Sequence, residues 1–288
     1  MADNRPCVVI YGSCQAQFLC FLLRQVPSLT RRFDFQIATI AAPNGTRDMA
    51  FEMPADVGRA VLLWEQYDQR AVLEPRDAVL RAVPAGCRVL RFPAVAMNAL
   101  WPFRIKDRRN RAEAAYPWGR YPQSDWVASA VAELGLPSEE SYKRYIERSR
   151  AAMPDLERLI DRDRATIAAR DAACDVMMED AVFDHLCDRY QFWTHGHLAT
   201  GLLAILLQRL LAASREIIGE LDETVLTELD AAYALYPGQG EQQLPIHPLV
   251  IERLGLRFVD EDTRYRWYGN SWTFAEFTTR LIAFDTNW

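Results

Sequence analysis

The first hundred residues alternate short apolar runs with amphipathic segments. Residues 7–11, CVVIY, form a β-branched apolar run that is typical of a buried strand. Residues 15–26 place apolar side chains at helical spacing, and Pro27 follows their last turn. Another helix is predicted over residues 72–82. Further strands are predicted at FDFQIATI (33–40), AVLLW (60–64) and CRVLRF (87–92). Because strands alternate with helices, the pattern indicates a parallel sheet in an α/β domain.

The pattern changes after residue 93, where aromatic loops and helices replace the strands. The aromatic tail that ends at Trp288 is expected to dock on the body of the protein. Helices are predicted at 124–134, from 137 onward, and at 154–173, 182–190, 201–214 and 249–254. We therefore predict a hydrolase-like, three-layer α/β fold, with a parallel-sheet core and a largely helical insertion or second lobe.

Three segments follow from this pattern. Residues 1–95 are predicted to form the first part of the α/β core, which contains a cysteine turn. Residues 96–180 are predicted to form the loop and helical insertion. Residues 181–288 are predicted to complete the core with a histidine block, a buried helix and an aromatic C-terminal segment.

Composition narrows the function classes. The 288 residues include 33 basic and 39 acidic ones, for a net charge of -6, which argues against a nucleic-acid binder. No apolar run approaches the roughly 18 residues of a membrane span, and the N-terminus lacks a secretory pattern. We expect a cytoplasmic protein, with peripheral attachment to the inner membrane left open. The six cysteines show no CxxC pair or zinc-finger spacing, so free thiols are expected.

The turn Gly12–Ser13–Cys14–Gln15 lies where the first strand ends and the first helix begins. Ligands of open α/β sheets bind at this end of the strands. Free N–H groups and the partial positive charge of a helix N-terminus favour the thiolate form of Cys14. We expect Cys14 to act as a nucleophile, with Gly12, Ser13 and Gln15 holding a developing oxyanion. Two alternatives remain, namely Ser13 as the nucleophile and Cys14 as a buried structural cysteine.

A cysteine nucleophile usually needs a histidine as its base. His195 and His197 lie just before the most apolar predicted helix, and we expect one of them to be catalytic. In an extended segment the two rings would point to opposite faces, so the other histidine would be structural. A zinc pair would need a third ligand and would leave Cys14 unexplained, so no metal site is predicted.

Four further segments are informative together, namely YGSCQA (11–16), FPAVAMNALWPF (92–103), YPWGRYPQSD (116–125) and THGHLATG (194–201). They resemble the WcbI polysaccharide-biosynthesis family. The resemblance spans most of the chain and weakens beyond about residue 215. It implies that the protein binds coenzyme A or acetyl-CoA and transfers an acetyl group to a sugar hydroxyl in capsular polysaccharide biosynthesis. It also places the nucleophile at Cys14, its neighbouring amide at Gln15 and the histidine block at residues 194–197, which contain both His195 and His197. Thr194 stands where an orienting aspartate would be expected, so a complete triad is not predicted.

The basic run between residues 104 and 111 would suit the phosphates of coenzyme A. Its basic members are Arg104, Lys106, Arg108, Arg109 and Arg111. The flanking rings that could stack on the adenine are Trp101, Phe103, Trp118 and Tyr121. A solvated, charged helix face is the competing interpretation.

The sequence therefore predicts an acetyl-CoA-dependent O-acetyltransferase whose acceptor is a sugar or polysaccharide. Cys14 would either attack the thioester or hold it while a histidine activates the sugar hydroxyl, and His195 or His197 would be the general base. One alternative is a cysteine or serine esterase that uses the same residues with water as the acceptor. Another is a noncatalytic carbohydrate- or nucleotide-binding protein. The aromatic tail would also suit contacts between copies in a homo-oligomer.

Overall fold

A parallel sheet forms the centre of the protein. The computed structural model describes residues 5–41, 50–68, 73–235 and 242–288. The strands of the sheet are β1 (Cys7–Gly12), β2 (Asp34–Ala41), β3 (Ala50–Glu52), β4 (Ala60–Tyr67) and β5 (Arg88–Pro93). Their order is β3-β2-β1-β4-β5, and all pairs are parallel except β2 with the edge strand β3. The predicted parallel strands are confirmed, whereas β3 is too short to show a period in the sequence.

Helices cover both faces of this sheet. The first three are α1 (Cys14–Arg24), α2 (Pro27–Thr30) and α3 (Leu73–Ala82), and a 3₁₀ turn lies at Val57–Arg59. Alternate residues of β1 point to opposite sides. Val8 and Ile10 join the large apolar cluster that contains Leu19 of α1, whereas Val9 joins a smaller cluster with Val79 of α3. The predicted α/β architecture is therefore confirmed.

The chain reverses its direction of sheet growth at β1. It passes from β1 through α1 to β2 on one side, and later returns to place β4 on the other side. The carboxyl ends of β1 and β4 therefore flank the position where open α/β sheets bind ligands. The turn that contains Cys14 leaves β1 at this position.

Helices and two-stranded ribbons form the rest of the molecule. The ribbon strands are β6 (Arg104–Ile105), β7 (Ser124–Asp125), β8 (Phe192–Thr194), β9 (His197–Leu198), β10 (Tyr265–Trp267) and β11 (Asn270–Trp272). The helices are α4 (Trp126–Ala132), α5 (Ser138–Ala152), α6 (Leu156–Asp171), α7 (Glu179–Phe183), α8 (Thr200–Ala213), α9 (Arg215–Ile218), α10 (Glu223–Leu235), α11 (Pro248–Leu254) and α12 (Phe274–Ala283). Within the described ranges, no helix is long and apolar enough to cross a membrane.

One large apolar core contains buried residues from many elements, beginning with Val8 and ending with Ile282. The predicted buried helix is α8, and its inner leucines belong to this core. The aromatic tail docks as expected, since the indole N–H of Trp267 donates to the Arg120 carbonyl at 2.8 Å and that of Trp288 donates to the Tyr121 hydroxyl at 3.1 Å. The Trp288 ring also contacts the Trp272 ring, with centroids 5.2 Å apart. The rings of the tail therefore pack within the same chain.

Candidate active site

Cys14 is the first residue of α1, and Ser13 is its N-cap. The first hydrogen bond within the helix runs from the Gln17 N–H to the Ser13 carbonyl, at 3.2 Å. The N–H groups of Cys14, Gln15 and Ala16 therefore have no acceptor within the helix. The thiol is half-buried beside them. This helix start offers three N–H donors and a partial positive charge to an anionic group.

Gly12 is required where the turn leaves the sheet. Its φ is +153°, which side chains of L-residues rarely tolerate. A Cβ at this position would lie 2.5 Å from both Cβ and Oε1 of Gln66, on the neighbouring strand β4. The absence of a side chain at Gly12 lets the Gln66 side chain pass directly over the turn.

The side chain of Gln66 forms hydrogen bonds with two residues of this turn. Its Oε1 accepts hydrogen bonds from the N–H and the hydroxyl of Ser13, both at 2.8 Å. Its Nε2 donates to Oε1 of Gln15 at 2.8 Å. The Ser13 hydroxyl thus donates to an amide oxygen, and no histidine among the described residues accepts a hydrogen bond from it. This contact argues against Ser13 as the nucleophile and removes its N–H from the set of free oxyanion donors.

Gln15 links the cysteine turn to the histidine turn. Its Nε2 donates to the carbonyls of Val95 (2.6 Å) and Gly196 (2.8 Å), and its Oε1 accepts from the Val95 N–H (3.2 Å). Nearby, the Met97 N–H donates to the His195 carbonyl at 2.8 Å. Both hydrogens of the Gln15 amide are therefore used, so the expectation that this amide is a free oxyanion donor is corrected. It connects two loops instead.

His195 and His197 lie on a tight hairpin, with His195 in the turn between β8 and β9 and His197 in β9. The segment forms a tight turn, whereas the sequence analysis assumes an extended conformation. Burial lowers the pKa of each ring to about 4, and the charge of Arg104 adds to the effect on His195. Both rings are neutral at pH 7 and can accept a proton. Nδ1 of His197 is buried, and no described residue forms a hydrogen bond with it.

The other two histidines have contacts that do not suit a general base. Nδ1 of His247 accepts from the Leu249 N–H at 3.1 Å and so caps α11, while its Nε2 lies 2.9 Å from the Ser149 hydroxyl. His185 is half-exposed on the surface and lies 3.8 Å from the carboxylate of Asp188.

The predicted basic run begins in β6 with Arg104 and continues into the loop that follows, and its members have different environments. Arg104 is half-buried and donates to Oε1 of Gln123 at 3.2 Å, whereas Lys106 and Arg108 are exposed. Arg109 binds the carboxylate of Asp107, with its closest contact at 2.8 Å. It also donates to two carbonyls at the end of α12, both at 2.9 Å. These contacts use four of its five donors, which argues against the expectation that Arg109 binds a phosphate.

Two of the predicted stacking rings are also part of the core. Tyr121 is 0% exposed and donates its hydroxyl to the Asp285 carbonyl at 2.6 Å. Its ring has no free face for a purine. Trp101 is buried and donates its indole N–H to the Leu244 carbonyl at 3.0 Å. Trp118, in contrast, is 52% exposed and remains available for stacking.

The sequence pattern does not reveal Gln66 as a site residue, because the predicted strand ends at residue 64 whereas β4 continues to Tyr67. A glutamine near the carboxyl end of an apolar strand was the signal that could have revealed it. In the part of the chain that the structure describes, no group of three or more His, Cys, Asp or Glu side chains could hold a metal ion.

A family model described as "Polysaccharide biosynthesis enzyme WcbI" matches residues 7–215. The chain belongs to this WcbI family. A solved structure of WcbI has a similar fold, with a TM-score of 0.70 at 14% sequence identity. The match covers 97% of this chain and 89% of that one. That structure is described as the native protein without a disulfide bond between coenzyme A and Cys14. No curated protein matches the chain. The predicted family is confirmed, and with it a role among polysaccharide biosynthesis enzymes.

Proposed function

We propose that this member of the WcbI family is an acetyl-CoA-dependent O-acetyltransferase that acts on a sugar hydroxyl in capsular polysaccharide biosynthesis. One observation carries the proposal. Gln15 joins the Cys14 turn to the histidine turn through its bonds to the carbonyls of Val95 and Gly196. The turn that carries a half-buried thiol and free helix N–H groups is thus hydrogen-bonded to the turn that carries two neutral imidazoles.

The residues present fit coenzyme A. Lys106 and Arg108 are exposed cations suited to its phosphates, and the exposed ring of Trp118 suits its adenine. The half-buried Cys14 thiol lies at a helix N-terminus, where a sulfur-bearing ligand would find a polar, positively polarised environment. The description of the WcbI structure, which mentions coenzyme A together with a cysteine, supports this assignment. When bound, the cofactor would supply an acyl group as a thioester.

Each residue then has a defined task. The imidazole of His195 or His197 takes the proton of the acceptor hydroxyl at an unprotonated ring nitrogen. The N–H groups of Cys14, Gln15 and Ala16 stabilise negative charge on a carbonyl oxygen, an effect that is typically worth about 3–4 kcal/mol per donor. The Cys14 thiol would take up the acyl group of the thioester while coenzyme A leaves as the free thiol, and the sugar hydroxyl would then take that acyl group and restore the Cys14 thiol.

Calorimetric titration with coenzyme A and acetyl-CoA tests the cofactor. The wild type should bind both saturably, and the Lys106→Ala/Arg108→Ala double variant should bind at least about tenfold more weakly, because two cation–phosphate contacts are lost. Arg144→Ala is the matched control, because this exposed arginine pairs with Glu147 on the surface of α5. Failure of the wild type to bind either compound would overturn the proposal.

An assay of thiol release separates transferase from esterase. With acetyl-CoA and a mixture of sugar acceptors, the wild type should release free thiol and form an acetylated sugar, whereas Cys14→Ala should be inactive. Thiol release that is equally fast without any sugar would identify an esterase instead. Variants His195→Gln and His197→Gln, assayed side by side, assign the base to the ring whose loss lowers kcat more.

A further inference from the structure

The loop that follows β5, residues 94–99, is bonded to both turns of the candidate active site, and we call it the β5 loop. Val95 forms two hydrogen bonds with the side-chain amide of Gln15, one through its N–H and one through its carbonyl. Two residues later, the Met97 N–H donates to the His195 carbonyl at 2.8 Å. The middle of the β5 loop therefore contacts the cysteine turn through Gln15 and the histidine turn through His195.

Asp163 of α6 binds one end of the β5 loop. Its side chain lies in the interior, with Asp163 only 2% exposed. The backbone N–H groups of Asn98 (2.6 Å) and Ala99 (2.8 Å) donate to one carboxylate oxygen, and the Asn98 side-chain amide donates to the other at 2.8 Å. Because the acceptor is charged, these bonds are stronger than bonds to a neutral oxygen. Movement of the loop would leave a buried carboxylate without these donors, so the carboxylate opposes such movement.

Arg170 of the same helix binds the other end of the loop. Its guanidinium donates to the Ala94 carbonyl at 2.6 Å and pairs with the carboxylate of Asp68 at 3.0 Å. Asp68 directly follows β4, and the Ala94 N–H donates to the Tyr67 carbonyl at the end of that strand, at 2.8 Å. Arg170 therefore connects the two chain segments that leave the carboxyl ends of β4 and β5.

Both contacts come from one face of α6. Asp163, Ile167 and Arg170 are spaced by four and three residues, which places them on the same side of the helix. Ile167, between the two polar residues, is 0% exposed and belongs to the large apolar core. Asp161 and Arg162, on the other side, are exposed. The packing of Ile167 therefore fixes the two polar groups relative to the body of the protein.

We propose that Asp163 and Arg170 are positioning residues of the active site. They bind the two ends of the β5 loop, and the middle of the loop binds the Gln15 amide and the His195 carbonyl. The polar face of α6 thereby controls the distance between the thiol and the imidazoles. The proposal rests on the function proposed above and adds the residues that hold the two turns of its site together.

Hydrogen exchange tests the role of Asp163 without any substrate. In Asp163→Ala the amides of Val95 and Met97 should exchange at least about tenfold faster than in the wild type, because the loop opens once its charge-assisted bonds are lost. Asp161→Ala, at an exposed position of the same helix, is the matched control and should exchange as the wild type does. Unchanged exchange of Val95 and Met97 would overturn the proposal. So would an equal acceleration of the Ile10 amide in β1, which reports a general loss of stability.

Steady-state kinetics test the effect on the site. Asp163→Ala should lower kcat at least about tenfold, because the reacting groups lose their alignment, while KM for acetyl-CoA should change less than about twofold, because the proposed cofactor contacts lie on the loop after β6. Asp163→Asn keeps an oxygen for the two backbone N–H groups and should recover part of kcat. Arg170→Lys should likewise retain more of kcat than Arg170→Gln, since it keeps a charge. Arg162→Gln, exposed on the same helix, should match the wild type. A fall in kcat with an equal rise in KM, and without recovery in the conservative variants, would overturn the proposal.

A double variant tests whether Asp163 acts through Gln15. Gln15→Ala removes the side-chain bonds to the β5 loop but keeps the backbone N–H at the helix start. If the two residues act along one path, the double variant Gln15→Ala/Asp163→Ala should lower kcat by clearly less than the product of the two separate effects. A loss equal to that product would show independent actions and would contradict the proposed path.

The two proposals can fail separately. If the wild type transfers no acetyl group, the proposed function fails, while faster exchange of Val95 and Met97 in Asp163→Ala would still support the control of the β5 loop by α6. If the wild type is active and Asp163→Ala keeps its full kcat, the proposed function stands and the positioning role is wrong.

Discussion

At the scale of single residues, desolvation raises the pKa of four of the six thiols. Burial raises the pKa of Cys7 and Cys174 to about 12. It also raises the pKa of Cys20 and Cys87 to about 11. Each unit of pKa lowers the thiolate fraction about tenfold, so these four thiols are poor nucleophiles at neutral pH. Cys14, half-buried at a helix N-terminus, is the thiol expected to react.

Mild alkylation with iodoacetamide followed by mass spectrometry should therefore label Cys14 first, at least about tenfold faster than Cys7 or Cys174. Cys187, which is partly exposed and donates its thiol to the Leu254 carbonyl at 3.3 Å, serves as an internal reference. Coenzyme A should protect Cys14 but leave the labelling of Cys187 unchanged. Faster labelling of Cys174 than of Cys14 would contradict the burial argument.

Gln66 is a positioning residue at the same scale. Gln66→Ala removes the acceptor of the Ser13 N–H and hydroxyl and the donor to Gln15. We expect the free energy of unfolding to fall by about 1–3 kcal/mol, because buried polar groups lose their partners. The kcat should fall while KM for acetyl-CoA changes little, since the turn loses its orientation.

A matched substitution in β2 provides the control for Gln66. Gln36→Ala removes a partly exposed amide that donates to Asp34 at 2.6 Å, away from the turn, and should change neither kcat nor KM. An unchanged kcat in Gln66→Ala, despite lower stability, would show that Gln66 has a purely structural role.

At the scale of elements, the strands and the long helices could be predicted because their apolar periods are regular. The strand predicted at 60–64 is three residues shorter than β4, because the polar pair Glu65–Gln66 interrupts the apolar run. Both residues are nevertheless buried. The helix predicted at 182–190 is wrong beyond Phe183, because α7 spans Glu179–Phe183 and turns follow it. The links made by Gln15 and Gln66 could not be predicted, because they depend on how distant loops meet.

Helix α12 is not predicted from the sequence, because it lies among aromatic residues, although its first turn contains a capping box. The Thr273 hydroxyl accepts from the Glu276 N–H at 3.2 Å, and Glu276 accepts from the Thr273 N–H at 2.8 Å. Thr273→Ala should lower the free energy of unfolding by about 1 kcal/mol, as measured by urea denaturation. Thr227→Ala, in the exposed middle of α10, is the control and should be neutral or slightly stabilising. An equal loss in both variants would contradict the capping effect.

At the scale of the whole molecule, buried histidines couple stability to pH. Burial lowers the pKa of His195, His197 and His247 to about 4, below the unfolded value of 6.5. Between these values the unfolded chain binds more protons than the folded one, so stability falls as pH falls from 6.5 toward 4. Each group contributes at most about 1.4 kcal/mol per pH unit. Asp125, whose pKa burial raises to about 6, acts in the opposite direction and offsets part of this loss.

Urea denaturation at pH 5 and pH 7 should therefore show lower stability at pH 5. His247→Asn keeps an N-cap acceptor but cannot titrate, so the difference between the two pH values should shrink. His185→Gln, on the exposed surface, should leave the difference unchanged. Equal stability of the wild type at both pH values would refute the coupling.

The bond between Gln15 and Gly196 has a consequence for how the protein is made. The two residues are 181 positions apart, so the ribosome must extrude about two-thirds of the chain before they can meet. Until then the nascent chain carries its thiol without the histidines that would accompany it. Truncated translation products should therefore be inert, and the assembly of the site should be a late event whose rate depends on long-range loop closure.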